Sequence, residues 1–240
     1  MLQKINGPAL QGGVFNVLYP NGQANDSGLG SIGRIAHTFV NQDLLVPMHT
    51  HQNDEILSYF RSGTVHHTDS ENISDTIHST RLMLMKAGKF YQHEERILGR
   101  DQMMQGLQIF IRPRIPDGRP SVQFRDLTTE HSENQWRLLA SHLPDSELQF
   151  TSETWVYDIR LQTGKTLTLP DFNPQLTYLL YVFNGEVNVN QYNLSQRDSL
   201  IIRGEEDVQI KTDNQAELVL FVTNEQGEIF KGGMFSGNRY

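Results

Sequence analysis

The chain has 240 residues, sets 20 Lys and Arg against 28 Asp and Glu for a net charge of −8, and contains no cysteine. Basic residues scattered singly among a larger number of acidic ones exclude a dedicated phosphate-gripping surface, so no direct nucleic-acid partner is expected. Without cysteine there is neither a disulfide framework nor a thiolate ligand, and any metal must be held by His, Asp, Glu or water.

Met1-Leu2-Gln3-Lys4-Ile5-Asn6-Gly7-Pro8 lacks the apolar core of a signal peptide, and no stretch reaches the roughly 18 apolar residues of a membrane span. A cytoplasmic protein without a membrane partner is the expectation. Short apolar-polar alternation dominates the chain, as in Gln108-Ile109-Phe110-Ile111-Arg112 and Glu186-Val187-Asn188-Val189-Asn190. Turn pairs such as Asn21-Gly22, Asp117-Gly118 and Asn184-Gly185 break these runs. Convincing amphipathic helices are scarce, so the predicted class is all-β. A hydrophobic share of 37% suits short alternating strands better than fully buried parallel ones.

The first chemically informative stretch is His49-Thr50-His51, with Glu55 four residues on; the second is His93-Glu94-Glu95. Alternate side chains of a strand project from one face, so His49 pairs with His51 and His93 with Glu95. If both strands line one barrel, three imidazoles and a carboxylate converge. Such donors suit divalent first-row metals, and four or fewer protein ligands leave room for water or substrate. The fourth ligand stays open at this point between Glu95 and Glu55, which shares the parity of His51. Glu95 is preferred, with Glu55 orienting a histidine by accepting its other N–H; Glu94 points away.

His66 and His67 are adjacent, so at most one faces inward, and they read as a surface hairpin pair. His37, His78, His131 and His142 have no partner at useful spacing and read as structural. Gln108, Phe110 and Arg112 share a strand face and are candidates to line a pocket, while Met83, Met85, Met103 and Met104 read as core or rim.

The turn-rich stretch carrying Pro113, Pro116, Gly118 and Pro120, followed by polar residues to Asn134, divides the chain. The expected domains are 1–118 with the metal site, a connector at 119–134, and 135–240 without ligands. A weak internal repeat supports duplication of one barrel. Glu55–Val65 resembles Thr177–Val187, and Met83–Gly88 resembles Leu200–Gly204. On that repeat the second half offers Asp171, Asn173 and Thr177 for His49, His51 and Glu55, and Gln209 and Lys211 for His93 and Glu95. A lysine ammonium would repel a cation, so one half reads as active and the other as structural.

These residues match a family. His49-x-His51-x-x-x-Glu55 with Gly63 resembles the first cupin motif, and Gly88 with His93 the second. More narrowly, Ala87-Gly88-x-x-x-x-His93-x-Glu95, Val65-His66-His67-Thr68-Asp69-Ser70 and Gly106-Leu107-Gln108-Ile109-Phe110 look like pirin, a family of bicupins. The resemblance implies two jelly-roll-like cupin barrels packed together, and one metal, usually iron with Ni, Cu, Mn or Zn as other options. It implies ligands at His49, His51, His93 and Glu95. It also implies activity like that of quercetin 2,3-dioxygenases, on a flavonol-like aromatic and O2 with loss of carbon monoxide, Glu95 serving as base. Other pirins are nuclear transcription cofactors. The alternative is therefore a non-enzymatic metal or redox sensor that binds a protein partner; a third reading is an isomerase or small-molecule binder. The sequence departs from the family in Gln52-Asn53-Asp54 and Lys89-Phe90, where Arg-Gly-Phe and Arg-Gly are usual, and these changes alter the pocket mouth.

Overall fold

A computed structural model describes residues 1–9, 13–19 and 26–237 of the chain. The Asn21-Gly22 turn lies outside the described residues. Within them the order is β1 Leu2–Ile5, β2 Gly13–Asn16, β3 Ile32–Val40, β4 Leu44–His51, β5 Glu55–Ser62, β6 Thr64–Asp69, β7 Ser74–Ile77, β8 Arg81–Lys86, β9 Tyr91–Leu98, β10 Met104–Ile111 and β11 Ser121–Asp126. It continues with β12 Arg137–Ser141, β13 Thr154–Leu161, β14 Thr166–Leu167, β15 Thr177–Asn184, β16 Glu186–Val189, β17 Tyr192–Ser195, β18 Ser199–Arg203, β19 Ile210–Lys211 and β20 Ala216–Thr223. The class is all-β, with two cupin-type barrels, as expected. No helix among the described residues is long and apolar enough to cross a membrane.

Each barrel pairs a six-stranded with a four-stranded sheet. The first has β11-β8-β5-β10-β3-β2 against β4-β9-β6-β7, and the second β1-β18-β15-β20-β13-β12 against β14-β19-β16-β17. The two orders superimpose strand for strand, with β5 answering β15 and β10 answering β20. Gly63 and Gly185 carry the same turn in each barrel, at φ 76° and 82°. A Cβ at Gly63 would lie 2.6 Å from Met104 Cα, and one at Gly185 would lie 3.0 Å from Ala216 Cα. Glycine answers both demands, left-handed φ and close approach to the neighbouring strand.

The correspondence also relocates two edge strands. β1, at the start of the chain, pairs with β18 and completes the second barrel's sheet. β11 pairs with β8 and completes the first. The stretch expected as a connector, 119–134, therefore contains a strand of the first barrel, and residues 2–5 belong to the second. Strand pairing between segments so distant in sequence leaves no trace in local alternation.

The two six-stranded sheets pack face to face, so their central strands are buried on both sides. On β5, Leu57 and Tyr59 join the core between the barrels, while Ile56 and Phe60 join the first barrel's own core. On β15, Leu179 and Tyr181 face the shared core and Leu180 and Val182 the second barrel's interior. These strands are the exception to the expected alternation: antiparallel strands sandwiched between two cores read as continuous apolar runs, as parallel ones usually do.

Candidate metal centre

The site is built on the four-stranded sheet of the first barrel. In register, β4 sets His49 opposite His93, with a bulge between Val46 and His49, and β6 sets Asp69 opposite His93 and His67 opposite Glu95. Strand parity turns all of these side chains inward, as alternate positions require. His51, His67, His93 and Glu95 are buried and His49 is half-buried.

The three imidazoles meet tip to tip. His93 Nε2 lies 2.9 Å from His49 Nε2 and 2.9 Å from His51 Nε2. The outer nitrogens identify the tautomers. His49 Nδ1 faces the Pro47 carbonyl at 2.9 Å and His51 Nδ1 faces Asp54 Oδ2 at 3.3 Å. Both partners are obligate acceptors, so both Nδ1 atoms carry the proton and both Nε2 atoms present bare lone pairs. His93 can offer one N–H to one of them at most, and one lone pair faces another whichever way the proton is placed. A shared cation resolves this arrangement. Metal–nitrogen bonds of about 2.05 Å at right angles put ligand nitrogens about 2.9 Å apart, which is the separation seen. Burial, and then the neighbouring His51, His49 and His67, push His93 down to about 2, so it stays a neutral donor.

Glu95 stands on the same face but is placed differently from the expected fourth corner. Its carboxylate groups with His93 and His67, while His49, His51 and His93 form the second possible ligand set. Both of its oxygens accept from Gln108 Nε2, at 3.2 and 3.0 Å.

Glu55 is not at this site, which corrects its expected role as alternative ligand or orienting group. Asn53 adopts φ 54° between β4 and β5, breaking the strand parity that linked His51 to Glu55. Glu55 instead accepts from Thr151 N at 3.0 Å and Thr151 Oγ1 at 2.7 Å, joining the two halves of the chain. Burial raises its pKa against those bonds. The orienting role falls to Asp54, one residue earlier and wholly buried.

His67, expected at the surface, is fully buried beside the cluster. Its Nδ1 lies 3.2 Å from His93 Nδ1 and its Nε2 2.9 Å from Asp69 Oδ2, which also accepts from the Tyr91 hydroxyl. Asp69 must keep its charge to accept both. Burial opposes that, but the Tyr91 hydroxyl, the Ile73 amide, His67 and the Glu71 amide hold its pKa below the usual range. With His67 Nε2–H donating to Asp69, His67 Nδ1 is free to accept from His93 Nδ1–H, leaving the His93 Nε2 lone pair aimed at the cluster. The adjacent pair His66-His67 carried no signal of which member points inward; the pairing of β6 with β9 supplies it.

Above the histidines lies a cavity of about 270 Å³, walled by apolar side chains including Val46, Ile56, Phe60, Met104 and Phe110, with Arg34, Gln108 and Glu95 as polar features. Two of the three residues expected to line a pocket do so, Gln108 and Phe110. Arg112 does not: it is buried outside the cavity, where it bonds to Asp26, Gly30 and Ser236.

Among the described residues the second barrel holds no counterpart. Register through Gly185 sets Val189 at the position of His67, and its partner Ile210 at that of Glu95, with Val208 answering His93. All three are fully buried in an apolar core. The expected counterparts Gln209 and Lys211 each stand one residue away from these positions and are exposed, as are Asp171 and Asn173.

Residues 29–111 match the Pirin family and residues 138–222 the quercetinase C-terminal cupin domain. A Pasteurella multocida protein carrying the provisional name quercetin 2,3-dioxygenase is 28% identical over 192 residues, covering 76% of this chain and 80% of that protein. Quercetin 2,3-dioxygenase of Escherichia coli K12 is 24% identical over 173 residues, covering 72% and 74%. The fold is similar to that of the bacterial pirin YhhW of Escherichia coli in complex with nickel(II), with a TM-score of 0.80, 21% identity, and 93% and 99% of the two chains covered.

Proposed function

The chain belongs to the pirin family of bicupins, and on that premise we propose that it is a metal-dependent dioxygenase acting on flavonol-type substrates. The observation that carries this reading is the convergence of three imidazole Nε2 atoms at the floor of an apolar cavity, in one barrel only among the described residues. We assign His49, His51, His93 and Glu95 as the metal-binding residues, with iron(II) as the metal in the cell. Nickel, copper or zinc will load the same nitrogen-rich set in the test tube, following the Irving–Williams order.

A bound metal would supply a Lewis-acid docking point for the deprotonated 3-hydroxyl and an electron conduit toward O2. The protein's own groups do the rest. The apolar walls exclude water and accept the flat faces of an aromatic substrate. When not engaged by the metal, Glu95 is the base that removes the hydroxyl proton, its carboxylate bonded to Gln108 in the cavity wall. His67 and Asp54 hold the ring orientations of His93 and His51, as outer partners of ligating histidines do. The reaction consumes one O2 per flavonol, retains both of its oxygen atoms in the opened product and releases carbon monoxide.

The test pairs metal analysis with oxygen-dependent loss of quercetin absorbance. Turnover that stops without O2 and is lost in His93→Ala supports the assignment. A preparation carrying one metal per chain but consuming no flavonol sinks the dioxygenase and leaves the metal site standing.

A further inference from the structure

The cavity of the first barrel is completed by a segment from the other end of the chain. Lys231–Gly237 lies across the mouth of β4 and β5. Met234 N donates to the Gln52 carbonyl at 2.9 Å, and Ser236 N to Asp54 Oδ1 at 2.8 Å. Arg112 Nε donates to the Ser236 carbonyl at 3.0 Å. Backbones approach so closely here that a Cβ on Gly233 would lie 2.5 Å from the Asn53 carbonyl. This multiply anchored strap delivers one side chain into the cavity: the ring of Phe235, 4.9 Å from that of His51 and 5.7 Å from that of Phe110.

Asp54 joins the strap to the metal cluster. Its wholly buried carboxylate accepts from the Phe235 amide at 3.1 and 3.2 Å, from the Ser236 amide, and from His51 Nδ1 at 3.3 Å. A buried carboxylate needs its donors, so the strap's two amides stabilise the same anion that fixes the His51 ring. Wall and ligand orientation share one hub, some 180 residues apart in sequence.

We propose that Phe235 is the aromatic wall that selects planar ring systems at the metal pocket, and that Asp54 is a positioning residue tying the placement of this wall to the orientation of His51. The ligand class rests on the dioxygenase reading; the coupling through Asp54 rests on the metal site alone. Aromatic faces attract beyond the area they bury by about 0.5–1.5 kcal/mol, which converts to a two- to twelvefold change in affinity. A leucine fills comparable space without the ring.

The experiment uses the full-length protein loaded with cobalt(II) under anaerobic conditions. Binding of quercetin, catechol and the aliphatic control cis-1,2-cyclohexanediol is followed through the cobalt absorption bands. Phe235→Leu should weaken quercetin and catechol about two- to twelvefold relative to the diol, and Phe235→Tyr should restore them. Equal weakening of all three ligands, unchanged binding, or a wild type that binds no aromatic overturns the wall. Asp54→Asn should shift the cobalt bands and weaken cobalt about 10- to 100-fold; a lowered melting temperature with unchanged bands and cobalt affinity overturns the coupling. Phe235-dependent aromatic binding without any turnover in air, by contrast, removes the dioxygenase and leaves the wall in place.

Discussion

Replacing His67 with leucine tests the arrangement of protons around the cluster. In the metal-bound state the His93 Nε2 lone pair is committed, so Nδ1 must carry the hydrogen, and its acceptor is His67 Nδ1 at 3.2 Å. Leucine removes that acceptor where both rings are buried. A buried donor left without a partner costs about 1–3 kcal/mol. Without metal, His93 can move its proton to Nε2 and bond to His49 or His51, so the cost falls mainly on the loaded state. Metal affinity should then drop about 5- to 150-fold by that energy. The remaining damage is small, because Asp69 keeps the Tyr91 hydroxyl and the amides of Glu71 and Ile73 as donors. Chelator-competition titrations with nickel(II) measure the loss, with circular dichroism and melting curves establishing that the variant folds. His67→Gln, which retains an acceptor, should recover part of the affinity. A folded His67→Leu that binds nickel within twofold of the wild type would refute the tautomer assignment.

Glu55→Gln should lower the melting temperature, since a charge-assisted bond to Thr151 of about 1.5–3 kcal/mol is weakened, while nickel affinity stays within twofold; a large loss of metal would restore Glu55 to the site. His37 is held neutral against Tyr181, its pKa pushed down to about 3 by burial and then by Arg197. Below pH 6.5 the unfolded chain takes up a proton that the native state refuses, so His37 makes stability fall with pH by at most about 1.4 kcal/mol per unit between 6.5 and about 3. Denaturant titrations at pH 7.5, 6 and 5 should show a shallower slope in His37→Gln, and equal slopes would contradict the burial argument. Gly63→Ala should weaken both stability and nickel binding, because Met104, which its Cβ would strike, lines the cavity; Gly185→Ala should cost stability alone, and equal metal loss in both would count against independent barrels.

What the sequence made legible is what one strand can encode. His49, His51, His93 and Glu95 share parity within their strands, and all four face inward. Legibility ended where parity was interrupted or contacts were remote. Asn53 turns the chain in a left-handed conformation that pattern alone does not announce, and Glu55 leaves the site because of it. His67 required knowing which strand lies beside β9. β1 and Phe235 owe their positions to partners across most of the chain and β11 to one some 35 to 45 residues back, and no local window contains both partners.

The second barrel shows what the metal cluster is for. It keeps the strand order, the left-handed glycine and the two-sided burial of the first, yet Val189, Val208 and Ile210 stand where His67, His93 and Glu95 stand. Apolar side chains at those positions close the interior at no electrostatic cost. Two imidazoles and a carboxylate in the same place, with His49 and His51 beside them, bury groups that need partners, and they leave a cavity of about 270 Å³. Burying polar groups is destabilising unless each is satisfied, and here satisfaction takes a buried aspartate for His51, an Asp–Tyr pair behind His67, and a glutamine for Glu95. A scaffold that folds with valine and isoleucine in those positions has no structural need of such an apparatus. The polar interior of the first barrel therefore runs against the fold's own preference, as a cluster of groups able to hold a metal requires.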